Sequence, residues 1–199
     1  MRELLIILLA VAVAAAAAIA THGGGLTAHR AGRLVLLVGL CILPVLITGT
    51  GVTVGVHESS QTTFCMSCHE MEPYGKSLFV DGNSLPALHY QRRLIDRDTV
   101  CFSCHTDYAM FGDAKAKLNG LRHVWVHYTG QTPKKIKLYQ PYPNHNCLHC
   151  HDDARGFVEV PMHQEKKAEI ANGKQSCLGC HSVVHDMDAV KAGNFWVGE

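Results

Sequence analysis

The chain has 199 residues, with 18 Lys and Arg against 17 Asp and Glu, 14 His and 9 Cys. A net charge of +1 offers no basic field for nucleic acid and no acidic tail, and 47% apolar residues exclude low-complexity disorder. The aliphatic excess precedes His57, whereas residues 57–199 carry 12 of the 14 His and 8 of the 9 Cys, so an apolar anchor leads into a Cys/His-dense domain poor in aliphatics.

In chain order, the first element is the apolar run Leu4 to Ala20, 17 residues and at the lower limit for a membrane span. Ala18-Ile19-Ala20 would also suit a signal-peptide cleavage site. Residues 21–33 form a linker holding Arg30 and Arg33 with no acid. Leu34 to Val56 then gives 23 residues without a charge, and at a 1.5 Å rise this crosses a hydrocarbon core of roughly 30 Å. Pro44 and the glycines at 49, 51 and 55 loosen this helix, which membrane helices tolerate. Cys41 reads as a small apolar residue within it, and His22, His29 and His57 mark the aqueous ends of the two runs.

Beyond His57 one pattern recurs four times: Cys65-Met66-Ser67-Cys68-His69, Cys101-Phe102-Ser103-Cys104-His105, Cys147-Leu148-His149-Cys150-His151 and Cys177-Leu178-Gly179-Cys180-His181. C-x-x-C-H is the attachment motif of c-type haem: two thiols add to the porphyrin vinyl groups, and the adjacent imidazole reaches the iron. Zinc ribbons also use paired C-x-x-C, but they do not require a His after every second Cys, and a thioredoxin-like pair would occur once. Four covalently bound haem c groups are expected. They also answer the shortage of aliphatics, because four macrocycles can replace the missing interior.

Gly, Pro and Asn are frequent between the motifs and strand-like alternation is scarce. The expected fold is all-α and haem-packed, with little regular sheet. Its best helix runs from about Asp113 to Tyr128, where Leu118, Leu121, Val124, Trp125 and Tyr128 recur at three- and four-residue spacing; a second runs from about Met162 to Asn172. Haem attachment by this motif takes place outside the cytoplasmic membrane, so residues after His57 belong on the periplasmic side. The second span then runs outward, and the arginines at 30 and 33 suit a cytoplasmic linker. Domain organisation follows: an anchor over 1–56, with helices 4–20 and 34–56 as a transmembrane hairpin, and a periplasmic tetrahaem domain over 57–199. A first segment that lies shallow, without crossing, is the alternative.

The anchor followed by "TTFCMSCHEM" and three further motifs resembles the NapC/NirT family of tetrahaem quinol dehydrogenases, which includes the small membrane subunit of cytochrome c nitrite reductase. The resemblance covers about Val52 to His185, and further matches are "LHY" at 88–90, "QTPKK" at 131–135, "PMH" at 161–163 and "CLGCHSVVH" at 177–185. It implies that Met71 ligates the first haem in place of His69. It further implies that His89, His163 and His185 are distal ligands of the second, third and fourth haems, beside the motif histidines His69, His105, His151 and His181. His185 lies four residues after His181 where the family usually has five, and which His serves which haem stays open. His127 and His145 are spare candidates, and His149 sits in a motif spacer. The family's quinol site carries a lysine and an acid in a pattern like K…G…(D/E)-(V/L)-Y; here this reads Lys117, Gly120 and His123-Val124-Trp125. The acid is replaced by His123, which either retains a proton acceptor or binds the first iron. Lys117 on a solvated face is the plain alternative.

The function the resemblance implies is electron transfer from membrane quinol to a periplasmic redox protein or reductase. Other subunits would dock through the extra first helix, which the usual family pattern lacks. Two alternatives stand beside it: an electron-wire subunit with no quinone site of its own, and the same site run in the quinone-reducing direction.

Overall fold

A computed structural model describes residues 1–133 and 135–196; Lys134 of the QTPKK stretch and residues 197–199 lie outside it. The chain divides into two compact units, Met1–Ser59 and Ser60–Glu199.

The first unit is helical almost throughout. Helix α1 spans Arg2–Leu26, α2 spans Arg30–Leu37, a π-helical turn covers Val38–Ile42, and α3 spans Leu43–Glu58. The 21–33 linker is shorter in structure than in sequence, since only Thr27–His29 interrupts the helices. The polar residues after Ala20 continue the helix, with the Thr21 hydroxyl satisfied within it by donating back to the Ala17 carbonyl at 2.9 Å. The tight return needs Gly32, where an added Cβ would stand 2.1 Å from the Leu26 carbonyl oxygen. Pro44 lacks the N–H that would bond one turn back, and its ring crowds that turn. The wider π turn just before it absorbs the mismatch. At Gly39 a Cβ would meet Ile19 Cδ1 of α1 at 3.2 Å, so the helices approach closely there. Arg2 pairs with Glu58, joining the start of α1 to the end of α3 and closing an antiparallel hairpin. The stretches Arg2–His22 and Arg30–Glu58, the second made of α2, the π turn and α3, are long and apolar enough to cross a membrane, and their side chains are overwhelmingly exposed.

The second unit is built of short helices: α4 Thr62–Cys65, α5 Glu72–Lys76, α6 Leu85–Gln91, α7 Val100–His105, α8 Gly112–Tyr128, α9 Asn144–His151, α10 Arg155–Val158, α11 Pro161–Glu165, α12 Lys167–Ala171, α13 Cys177–Cys180 and α14 Met187–Lys191. Among the described residues there is no strand, only an isolated antiparallel bridge between Val80 and Phe195. The all-α expectation holds. The fully buried apolar residues described in this unit are Leu78, Val80, Ala87, Val100 and Ile170, a core too small to organise the chain alone.

Polar pins do much of that work. Asn144 Nδ2 donates to the carbonyls of Ile170 (2.9 Å) and Gln175 (2.7 Å), while its Oδ1 accepts from the Cys177 amide (2.9 Å), tying the start of α9 to the start of α13. Buried Asn146 donates to the Thr106 carbonyl at 2.8 Å and accepts from the Tyr108 amide at 3.1 Å. Ser84 Oγ donates to the Val184 carbonyl at 2.6 Å.

Helix α8 occupies the predicted stretch. It starts sharply because Phe111 is left-handed (φ 63) and a Cβ on Gly112 would fall 1.5 Å from the Asp107 carbonyl oxygen. Its periodic residues Leu118, Leu121, Trp125 and Tyr128 are exposed, so they make a helix face and no polypeptide core. The single helix expected over 162–172 is broken into α11 and α12 by Lys166 (φ −93, ψ 3). Only Ile170 is buried in this stretch, and one anchor does not hold two turns in line.

Candidate functional site

The four motifs sit on or beside short helices. The second runs unbroken through α7 and the third through α9, which places the two cysteines about one turn apart on one side of the helix, with the His directly after the second. In the fourth, α13 ends at Cys180 and His181 caps it. The first is different: α4 ends at Cys65, Cys68 is extended (φ −99, ψ 130), and His69 opens a separate 3-10 turn, His69–Met71.

Cysteines of successive motifs are neighbours. The Cys65 sulfur accepts a hydrogen bond from the Cys101 thiol, which holds Cys65 below and Cys101 above the ordinary thiol range. Burial pushes Cys104 up, with Cys150 of the third motif adding to it. Burial likewise raises Cys147 to about 11, with Cys177 of the fourth contributing. The attachment points therefore abut in the order one, two, three, four.

Each motif histidine faces one other imidazole. Ring centres are 6.3 Å apart for His105 and His185 (planes 9° apart), 5.9 Å for His151 and His89 (88°), 6.2 Å for His181 and His163 (41°), and 5.9 Å for His69 and His127 (64°). Metal–imidazole bonds of about 2 Å put two trans ring centres roughly 6 Å apart, so this spacing fits an iron between the rings. The ring nitrogens agree. Ser77 Oγ donates to the Tyr74 carbonyl at 2.5 Å, so at 2.7 Å it accepts from His185 Nδ1–H and leaves Nε2 free. His89 Nδ1 donates to the Leu85 carbonyl at 2.8 Å with the same result. His163 Nδ1 is the buried polar side-chain atom without a partner among the described residues. Burial, with His105 opposite, drops His185 to about 4, and burial also lowers His105; both rings are neutral and available to a metal. No group of three or more His, Cys, Asp or Glu among the described residues could chelate a bare metal ion. The donors come as opposed pairs beside thiols, the arrangement a macrocycle requires.

The remaining candidates separate. Lys117 Nζ donates to Ser60 Oγ at 2.7 Å and lies 4.2 Å from the centre of the Phe102 ring, beside Cys65; burial lowers its pKa. His123 stacks on Tyr139 (4.8 Å, 29°), with Nδ1 3.3 Å from the phenol oxygen and Arg122 over the same ring at 3.9 Å. Six residues of helix put Lys117 and His123 about 120° apart around α8, so they do not share a face. The ring that faces His69 is that of His127, one turn beyond His123. Met71 is half-buried on the 3-10 turn. His145 Nε2 is held by Asp107 at 2.6 Å, and His149 stacks on Tyr108 at 4.0 Å. Sequence reasoning left the partners Ser77 and Glu70 unmarked, because neither carries a pattern of its own.

Covalent attachment motifs, paired imidazoles and two apolar helices define a membrane-anchored c-type cytochrome. A family profile described as "NapC/NirT cytochrome c family, N-terminal region" matches residues 27–190, and the chain belongs to that family. It binds covalent haem c and serves electron transport. The match starts at residue 27, so α1 lies wholly outside it. The chain is 27% identical over 172 residues to the cytochrome c-type protein NapC of Haemophilus influenzae, covering 74% of this chain and 80% of that one. It is 27% identical over 159 residues to the cytochrome c nitrite reductase subunit NrfH of Nitratidesulfovibrio vulgaris, covering 78% and 85%. With the cytochrome c-type protein TorC of Escherichia coli it shares 24% over 178 residues, covering 80% of this chain and 42% of TorC. No solved structure matches.

Proposed function

We propose that this chain is a tetrahaem quinol dehydrogenase that passes electrons from membrane quinol to a redox protein or reductase in the periplasm. One observation carries the reading: four complete attachment motifs, each with an opposed imidazole, abut in sequence order. Cys65 and Cys68, Cys101 and Cys104, Cys147 and Cys150, and Cys177 and Cys180 would hold the four groups, with His185, His89 and His163 as distal partners of the second, third and fourth. When bound, each haem supplies a one-electron couple. The chain fixes their spacing, keeps His105 and His185 neutral through burial, and through burial and nearby charge sets their order of potential.

A quinol releases two electrons and two protons. Lys117, beside the first motif, is suited to hold a quinol oxygen as a hydrogen-bond donor, with the Phe102 ring flanking it. His123 turns to Tyr139 instead, an observation that favours the rival reading of an electron wire without its own quinone site. Helix α1, outside the family match, is a surface for a partner subunit.

Mature protein should exceed the polypeptide mass by four haems, and a soluble quinol analogue should reduce it in nanodiscs. Lys117→Ala should lower kcat/KM for that reduction roughly tenfold or more, the value of a charged hydrogen bond, without changing the haem count. Wild-type protein with four haems that the quinol leaves oxidised would favour the wire.

A further inference from the structure

We infer that the first haem is bound by two imidazoles, with His127 of α8 as its distal ligand and Glu70 as the residue that positions it. This rests on the covalent-haem reading above and departs from the resemblance, which points to Met71.

The geometry of this pair repeats that of the other three. His127 and His69 have ring centres 5.9 Å apart, the same separation as His89 and His151. His127 Nδ1 donates to Glu70 Oε1 at 2.6 Å, as His185 Nδ1 donates to Ser77 and His89 Nδ1 to Leu85. In each case an oxygen holds Nδ1 and leaves Nε2 free for a metal. A ligating histidine whose other nitrogen is held in this way has its tautomer and orientation set in advance. For His127 the acceptor is a carboxylate, the strongest of the three, and its second oxygen lies 3.4 Å from His69 Nδ1. Glu70 sits between His69 and Met71, so one 3-10 turn delivers both the motif imidazole and the group that orients its opposite. The ring that faces His69 is that of His127, whereas the His123 ring stacks on Tyr139 at 4.8 Å.

Two imidazoles give a lower potential than an imidazole and a thioether, so the first site would resemble the other three instead of standing above them. The test uses purified, fully matured protein. Near-infrared magnetic circular dichroism of the wild type should show imidazole–imidazole bands for all four irons and no sulfur–iron charge-transfer band; a sulfur band overturns the inference. His127→Ala should turn one of four low-spin haems high-spin, and Met71→Leu should leave all four unchanged. The reverse pattern, or an unchanged His127→Ala spectrum, overturns it as well. Glu70→Gln should keep four low-spin haems while raising one potential, and an unmoved set of potentials removes Glu70 from the positioning role. If His127→Ala fails to mature, the wild-type spectrum still decides. The mass measurement separates the two readings: fewer than four haems sinks the functional proposal, whereas four haems with a spectrum insensitive to His127 sinks only this inference.

Discussion

Residue chemistry is most visible here in the orientation of imidazole planes. His105 and His185 are nearly parallel at 9°, and His89 and His151 nearly perpendicular at 88°. Parallel axial planes produce a rhombic low-spin EPR signal; perpendicular planes produce a strongly anisotropic one dominated by a low-field feature. His185→Ala should therefore remove the rhombic component, and His89→Ala a low-field one, each replaced by one high-spin haem. If either variant removes the other's signal, the pairing of second and third motifs is exchanged. The motif residues could be read in the sequence because covalent chemistry fixes their spacing at two residues. The partners could be nominated but not assigned: His185 meets His105, though it lies four residues from His181. That choice is made by the short helices and by Ser77, whose hydroxyl holds the ring. The role inferred above for His127 is harder still to read, because the Lys117-Gly120-His123 pattern draws attention to a residue one helical turn earlier.

At the level of elements, apolar periodicity located α8 and both anchor helices, since a continuous stripe or run is written locally. It failed where nothing apolar decides. The stretch over 162–172 reads as one helix, yet it breaks at Lys166, and the linker over 21–33 shrinks to Thr27–His29. Side-chain amides join the short helices, and an Asn between Pro143 and His145 has no pattern that announces such a role. Asn144→Ala removes three hydrogen bonds that link α9 to α12, to the turn at Gln175 and to α13. Leaving two carbonyls and one amide of this half-buried junction unpaired should cost about 1–3 kcal/mol. A lower denaturant midpoint of the mature protein, with four haems retained and unchanged spectra in buffer, is the expected result. An unaltered midpoint would assign the junction's strength elsewhere.

For the molecule as a whole, the question is which side each end of the anchor occupies. A single outward span would need only α2, the π turn and α3, and the family match begins at residue 27, leaving all of α1 to be explained. The closed hairpin gives α1 the opposite direction to α3, with the Arg2–Glu58 pair joining their ends. If the haem domain lies on the periplasmic side, as proposed, then Glu58, which leads directly into it, puts Arg2 on that side and the turn at Thr27–His29 on the other. Arg30 and Arg33 flank that turn without an acid, the charge bias of a cytoplasmic loop. A cleaved or shallow first segment would lack this parity. In a Cys41→Ser background, where the eight motif cysteines are consumed by haem, a cysteine placed by Thr27→Cys should resist a membrane-impermeant maleimide in intact cells and react after permeabilisation. One placed by Glu3→Cys, at the other end of α1, should react in cells with a permeabilised outer membrane. Labelling of position 27 from outside would overturn the hairpin, whereas protection at both positions would show a first helix that lies within the membrane without crossing it.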